Sequence, residues 1–197
     1  EFRRVLFRSD GKANPELSRT GALAVGIPGS VMALHKLQQL GGALKFRDLI
    51  LPAANLAETG FPISVSLAER LSATSKKLAQ FPASAAIFLD KDNQPLIANT
   101  QLQQKDLAAT YRAIAEQGPA YFYKGDFAKK TASWMKQHGG IITQKDFANY
   151  QIKLREPVVS EFAGYTLYGF PPPSSGGTHV AQILNILEQF DLTKTTQ

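Results

Sequence analysis

From Val31 onward the apolar residues Leu34, Leu37 and Leu40 fall at helical spacing, so a helix that Ser30 caps and Gly41-Gly42 ends is predicted. The same period returns over Asp48–Thr59 with Leu49, Ala53 and Leu56, ended by Gly60, where Pro52 fits only a first turn. Ser66 and Glu69 have capping-box spacing ahead of Leu67, Leu71 and Leu78, which predicts a third helix. The short apolar run Ala85–Leu89 is compatible with a strand or a helical turn, and Asp90-Lys91-Asp92-Asn93 follows it as a turn. Leu107, Tyr111 and Ile114 mark a helix opened by Asp106 and closed by Gly118-Pro119. Another helix runs from Asp126 to His138 before Gly139-Gly140, and Thr143 with Asp146 resembles a weak capping box.

Beyond Tyr150 the period becomes two. Ile152 and Leu154, Val158-Val159, and Tyr165, Leu167 and Gly169 predict a β-ribbon over 150–170 that turns at Gly164. Pro171-Pro172-Pro173 stops pairing because proline has no amide donor. Ser174-Ser175-Gly176-Gly177 then leads into a helix over 178–190 carrying Val180, Ile183, Leu184, Leu187 and Phe190. Near the start, Asp10-Gly11 is a turn pair and Asn14-Pro15 a turn initiator. Gly21–Gly29, with its glycines and Pro28, suits a buried extended segment.

The chain has 197 residues, 44% hydrophobic and 19% charged, which suits one globular domain and excludes a disordered or coiled-coil chain. No run approaches the roughly 20 apolar residues of a membrane span, since Gly21–Leu40 already carries His35, Lys36 and two glutamines. Without cysteine there is no thiolate nucleophile and no cysteine metal site. The net charge of +6 invites a nucleic-acid reading. Residues 1–9, Glu-Phe-Arg-Arg-Val-Leu-Phe-Arg-Ser, however, resemble an in-frame translation of a sequencing-library primer. They are set aside as a non-native artefact, with the native N-terminus and any signal peptide expected to be missing. Their three arginines and one glutamate account for two of the charges, leaving an ordinary +4 and no nucleic-acid partner.

No phosphate-binding loop, dinucleotide fingerprint, zincin helix or nucleophile elbow is present. His35 and His138 lie on helices without carboxylates at metal spacing. His179 closely follows Ser174 and Ser175, but neighbours on one loop-to-helix junction rarely aim at one reacting atom, and no carboxylate is placed to orient the imidazole. Ser174–Thr178 has two readings: a glycine-rich loop whose free amides bind a small anion, or a tight turn whose glycines let a strand approach a helix. Trp134, Met135 and Phe127 beside Tyr121, Phe122 and Tyr123 form an aromatic cluster that reads as core ahead of a base-stacking platform. Lys76-Lys77 and Lys129-Lys130 mark solvated helix faces.

Pro171–His179, with Gln182–Glu188 after it, resembles the gamma-glutamyltransferase (glutathione hydrolase) family. So do Ala24–Val31 and the spacing of Pro52-Ala53, Ala57-Glu58 and Gly60-Phe61-Pro62. The resemblance covers residues 10–197. It implies an α+β fold that is part of an αββα N-terminal-nucleophile hydrolase sandwich, mainly its helical layer plus a few antiparallel strands. It also implies a precursor that cuts itself into large and small subunits, with this chain inside the large one. A threonine freed at the start of the small subunit would attack gamma-glutamyl amides such as glutathione, passing the acyl group to water or an amino acid without metal or cofactor. On this reading no catalytic residue lies in the chain. The arginine that clamps the substrate carboxylate belongs upstream of Asp10, and Arg8, inside the primer-like stretch, is not given that role. Ser174, Ser175, Gly176 and Gly177 are the candidate turn supporting the site from behind. The expected partners are the small subunit and a gamma-glutamyl peptide substrate, and the expected location is periplasmic or secreted. The alternative is a non-catalytic module that binds a small anion at Ser174–Thr178.

Overall fold

A computed structural model describes residues 8–9 and 12–191 and divides into two compact units between Gln151 and Ile152. Its fold class is α+β. Short antiparallel strands β1 (Arg8–Ser9) and β2 (Lys12–Ala13) pair Arg8 with Ala13; the turn pair predicted at Asp10-Gly11 lies outside the described residues. Asn14 caps a 3-10 turn over Pro15–Ser18, its side chain accepting from the Glu16 amide at 3.1 Å. The Gly21–Gly29 segment is not the buried extended piece expected. It holds a second 3-10 turn at Ala22–Ala24, and Ala22 alone of its residues is buried.

Helix α1 (Ser30–Gly41) begins one residue after its cap, which is Gly29 and not Ser30. Helix α2 (Phe46–Thr59) starts two residues earlier than predicted, so Pro52 is its seventh residue and leaves the Asp48 carbonyl without its intrahelical amide. Gly60, at φ +83, ends α2 where Gln103 and Leu102 leave no space for a Cβ. The chain then enters β3 (Phe61–Pro62), which pairs with β4 (Gln101–Leu102), and Ile63 extends the pairing by bonding Thr100 and Asn99.

Ser64, not Ser66, caps α3 (Val65–Leu78), accepting from the Leu67 amide at 3.2 Å. The ambiguous 85–89 run is helical up to Phe88, in α4 (Pro82–Phe88), where Pro82 supplies a pre-set first turn, and Leu89 leaves the helix to bridge Pro95. The Asp90 carboxylate then shapes the expected turn by accepting from the Asp92 and Gln94 amides, each at 2.8 Å. Around β3 and β4, Ile63, Leu71 and Leu102 form one small core.

Helix α5 (Lys105–Gln117) lies along α2, and the buried residues at the contact are small: Ala54 and Ala57 on α2, Ala108 and Ala115 on α5. Two helices can approach closely only where such side chains meet. Gly118-Pro119 closes α5 and also opens a short helix, α6 (Pro119–Tyr123), which period alone does not reveal. Helix α7 (Asp126–Gln137) and the capping-boxed α8 (Gln144–Ala148) complete the unit. Its larger core gathers Ile114, Phe122, Tyr123, Ala128 and Phe147. Phe122 stacks on Phe127 with centroids 4.0 Å apart, and Tyr121, Phe122, Tyr123 and Phe127 belong to this core, whereas Trp134 of the same cluster is exposed.

In the second unit the ribbon is shorter than the predicted 150–170. Residues 150–157 form no strand, β5 is Val158–Phe162 and β6 is Tyr165–Gly169. Ala163 and Gly164, both at positive φ, make the two-residue turn. Helix α9 (Gly176–Leu187) starts two residues before the predicted 178 and ends short of 190. It packs on both strands through the half-buried Ala181 and Leu184 and the buried Gly177.

Candidate functional site

The candidate turn is built by what proline forbids and glycine permits. After Gly169 the prolines offer no amide to a neighbouring strand, and the Pro172–Pro173 peptide is cis. The Ser174 amide bonds back to the Pro171 carbonyl at 3.2 Å, the Gly176 amide reaches the Ser174 hydroxyl at 3.4 Å, and His179 makes the first helical bond to Ser175 at 2.8 Å. Gly177 is pressed against β6: a Cβ on it would sit 2.7 Å from the Phe170 nitrogen and 2.8 Å from the Gly169 carbonyl carbon. A Cβ on Gly169 would lie 2.7 Å from the Gly177 Cα. Strand and helix thus cross backbone to backbone, which is the tight-turn reading. An anion nest is built from accessible amides, whereas Gly177, the middle of this loop-to-helix junction, is buried against Phe170 and Gly169.

Of the four candidates only Gly177 is drawn into this contact, and Ser174, Ser175 and Gly176 stay exposed. His179 is exposed too, and no hydrogen bond joins its imidazole to either serine. The arrangement therefore holds a strand and a helix at fixed separation and presents no nucleophile with its base.

A polar site that sequence reasoning missed lies in the helical unit. Tyr123 is buried to 2% exposure, and its hydroxyl donates to the Pro28 carbonyl at 2.7 Å while accepting from the Met32 amide at 3.2 Å. Burial raises its pKa above the usual tyrosine value, the Met32 hydrogen bond opposing and nearby Tyr150 adding to the rise. Tyr150 stacks on it at 5.4 Å and 8°. The available signal was chemical: a tyrosine among core aromatics needs a partner for its hydroxyl. Its partners stand 91 and 95 residues upstream, which no local pattern reports.

The sequence profile described as Gamma-glutamyltranspeptidase matches residues 1–197. The chain belongs to the gamma-glutamyltranspeptidase family. It is 40% identical to the glutathione hydrolase proenzyme of Bacillus subtilis over 94% of its own length, and 39% identical to an acylase ACY 1 proenzyme of a Pseudomonas species over 87%. It spans about 31% of each of these relatives. Among solved structures, Helicobacter pylori gamma-glutamyltranspeptidase superposes with TM-score 0.92 at 38% identity, covering 96% of this chain and 54% of that one.

Within this gamma-glutamyltranspeptidase segment, each block that carried the resemblance has a structural task. Ala24–Val31 is tied to Tyr123 through the Pro28 carbonyl, with Met32 just beyond it donating to the same hydroxyl. The Pro52–Pro62 block is the end of α2 and strand β3, where Arg112 of α5 bonds Asn55 at 3.2 Å and pairs with Glu58. Pro171–His179 is the strand-to-helix crossing. The side chain of Arg8 lies outside the described ones. His35 rests edge-on against Phe46, and His138 stacks on Trp134 at the end of α7. The pairs Lys76-Lys77 and Lys129-Lys130 are exposed.

Proposed function

We propose that this segment is part of the large subunit of an enzyme precursor that cleaves gamma-glutamyl amides such as glutathione, after self-cleavage frees a catalytic threonine outside the chain. The threonine oxygen bonds the gamma-carbonyl carbon. Its proton passes to the threonine's own α-amino group and on to the departing amine as the amide C–N bond breaks. Water or an amino acid's amine then takes the acyl group and restores the hydroxyl. The chain's own part is to build the wall against which that nucleophile is set.

The observation that carries this reading is the second unit's unsatisfied apolar surface. Tyr168 and Phe170 are 73% and 79% exposed, and Val180, Ile183 and Ile186 of α9 are exposed too. A helix with one side on its own strands and a second apolar side open has the form of a layer awaiting another. Both relatives are named as proenzymes, in keeping with a second polypeptide cut from the same precursor. The anion-binding alternative draws support from neither the crossing geometry nor the relatives. Identities of 40% and 39% to a glutathione hydrolase and to an acylase leave the choice of acyl group to residues elsewhere. Among the described residues, no helix is long and apolar enough to cross a membrane.

The test is a chimera in which residues 12–191 replace the matching segment of the Bacillus subtilis relative. The chimera should cut itself into two polypeptides and release glutamate from glutathione. A chimera that melts like its parent yet neither cleaves nor turns over glutathione would overturn the proposal.

A further inference from the structure

We infer that the Tyr123 hydroxyl, supplied from a different helix, does for α1 the work of the capping side chain that Gly29 lacks, and so makes Tyr123 the positioning residue for the Ile27–Met32 segment. The first amides of any helix lack intrahelical acceptors, and a serine, threonine, asparagine or aspartate at the cap position ordinarily takes the third one. Helix α1 has no such residue: its cap is Gly29, at φ −94 and ψ −16, and no side chain of its own segment bonds the helix start. The third helical amide belongs to Met32, and its acceptor is the Tyr123 hydroxyl.

Local capping would also disturb the Tyr150 ring. A Cβ at residue 29 would meet the Tyr150 hydroxyl, so a capping side chain there would have to displace the ring that stacks on Tyr123. The Tyr123 hydroxyl has one proton to give, and it goes to Pro28, whose carbonyl immediately precedes the cap. One buried oxygen thereby fixes both sides of the helix start. Among the described residues these are the side-chain hydrogen bonds made to residues 25–32, a stretch whose Val25, Gly26 and Pro28 are exposed. Apolar contacts of Ile27, Val31 and Met32 hold the segment against the core, and the hydroxyl sets its register there.

This inference does not rest on the proposed activity, and its test reads amide exchange, residue by residue, in the 197-residue chain at low concentration. In the unmodified chain Met32 should exchange at least roughly tenfold more slowly than Ser30 and Val31, which lack acceptors. Equal rates at the three amides would overturn the inference without any variant. In Tyr123→Phe, which keeps the ring, that protection should fall roughly tenfold while Ile114 and Ala128 hold theirs. Tyr150→Phe should leave Met32 protected. An unchanged Met32 in Tyr123→Phe, or a loss shared equally by Ile114 and Ala128, would assign the residue to packing alone.

Discussion

Two adjacent glycines open α9, and one added carbon has opposite consequences at them. At Gly177 the new atom meets backbone of Phe170 and Gly169, which cannot rotate away as a side chain could. Overpacking of this kind costs about 1–3 kcal/mol, more than the ~1 kcal/mol that alanine gains over glycine in a helix. At Gly176 the nearest atom is the Ser174 hydroxyl at 3.6 Å, an ordinary contact. Gly177→Ala should therefore speed proteolytic cutting at the 170–177 junction severalfold, while Gly176→Ala should leave it unchanged or slower. Equal sensitivity of the two variants would contradict the crossing geometry. The motif was legible as a turn because prolines and glycines act through their own backbones. Which glycine mattered was not, since the clash is with Phe170 and Gly169, seven and eight positions earlier. Tyr123 was hidden for a stronger version of the same reason, its two partners lying more than ninety residues away.

Helical period identified the elements, yet the stripes it picked out do not all face inward. On α3 and α5 the stripe is the buried side, with Leu71 and Ile114 in the two cores. On α1 three of the four stripe residues, Leu34, Leu37 and Leu40, are 58%, 65% and 63% exposed, and only Val31 of the stripe turns inward, beside Met32 and His35. The α2 stripe behaves alike: Leu49 and Leu56 are exposed while Ile50, Ala54 and Ala57 pack. A helix with two apolar sides shows a period without saying which neighbour is present, so the exposed stripes mark surface that this segment does not itself cover. Ile152 and Leu154 alternate like a strand but pair with nothing among the described residues, because alternation supplies a face and not a partner.

The weak capping box at α8, by contrast, was local and formed as its spacing required. The Thr143 amide and hydroxyl both donate to Asp146, at 2.8 and 2.6 Å, and the Asp146 amide donates back at 3.3 Å. The Thr143 side-chain bond, then its backbone bond, holds the Asp146 carboxyl below its ordinary value of 3.8. A carboxyl whose folded pKa is lowered stabilises the fold above the unfolded value and loses that contribution as pH falls through the folded one. Exchange at the Asp146 and Phe147 amides should therefore rise, beyond its intrinsic pH dependence, as pH drops below 3.8. Asp146→Asn should abolish that step, and a step surviving the substitution would show that another group controls the helix.

At the scale of the whole molecule, the quantity that governs behaviour is apolar surface without a cover. The segment amounts to about a third of its curated relatives, and its described strands form two-stranded sheets whose outer edges bond nothing further. A lone two-stranded ribbon is marginal in water, and open edges beside large exposed apolar patches template association. Here Val159 and Tyr168 share the ribbon's outer face, while Val180, Ile183 and Phe190 stand open beyond it. The 197-residue chain alone should thus elute as concentration-dependent oligomers, bind a hydrophobic dye and release no glutamate from glutathione. Coexpression with the remainder of the Bacillus subtilis precursor should shift it to a discrete complex and quench the dye signal. Charge alone would not produce that shift, because a net +6 repels copies of the chain from one another and salt would then promote association in the absence of any partner. A dye-silent monomer at high concentration would mean that these faces are already satisfied, and the layer they are read to await would have no role.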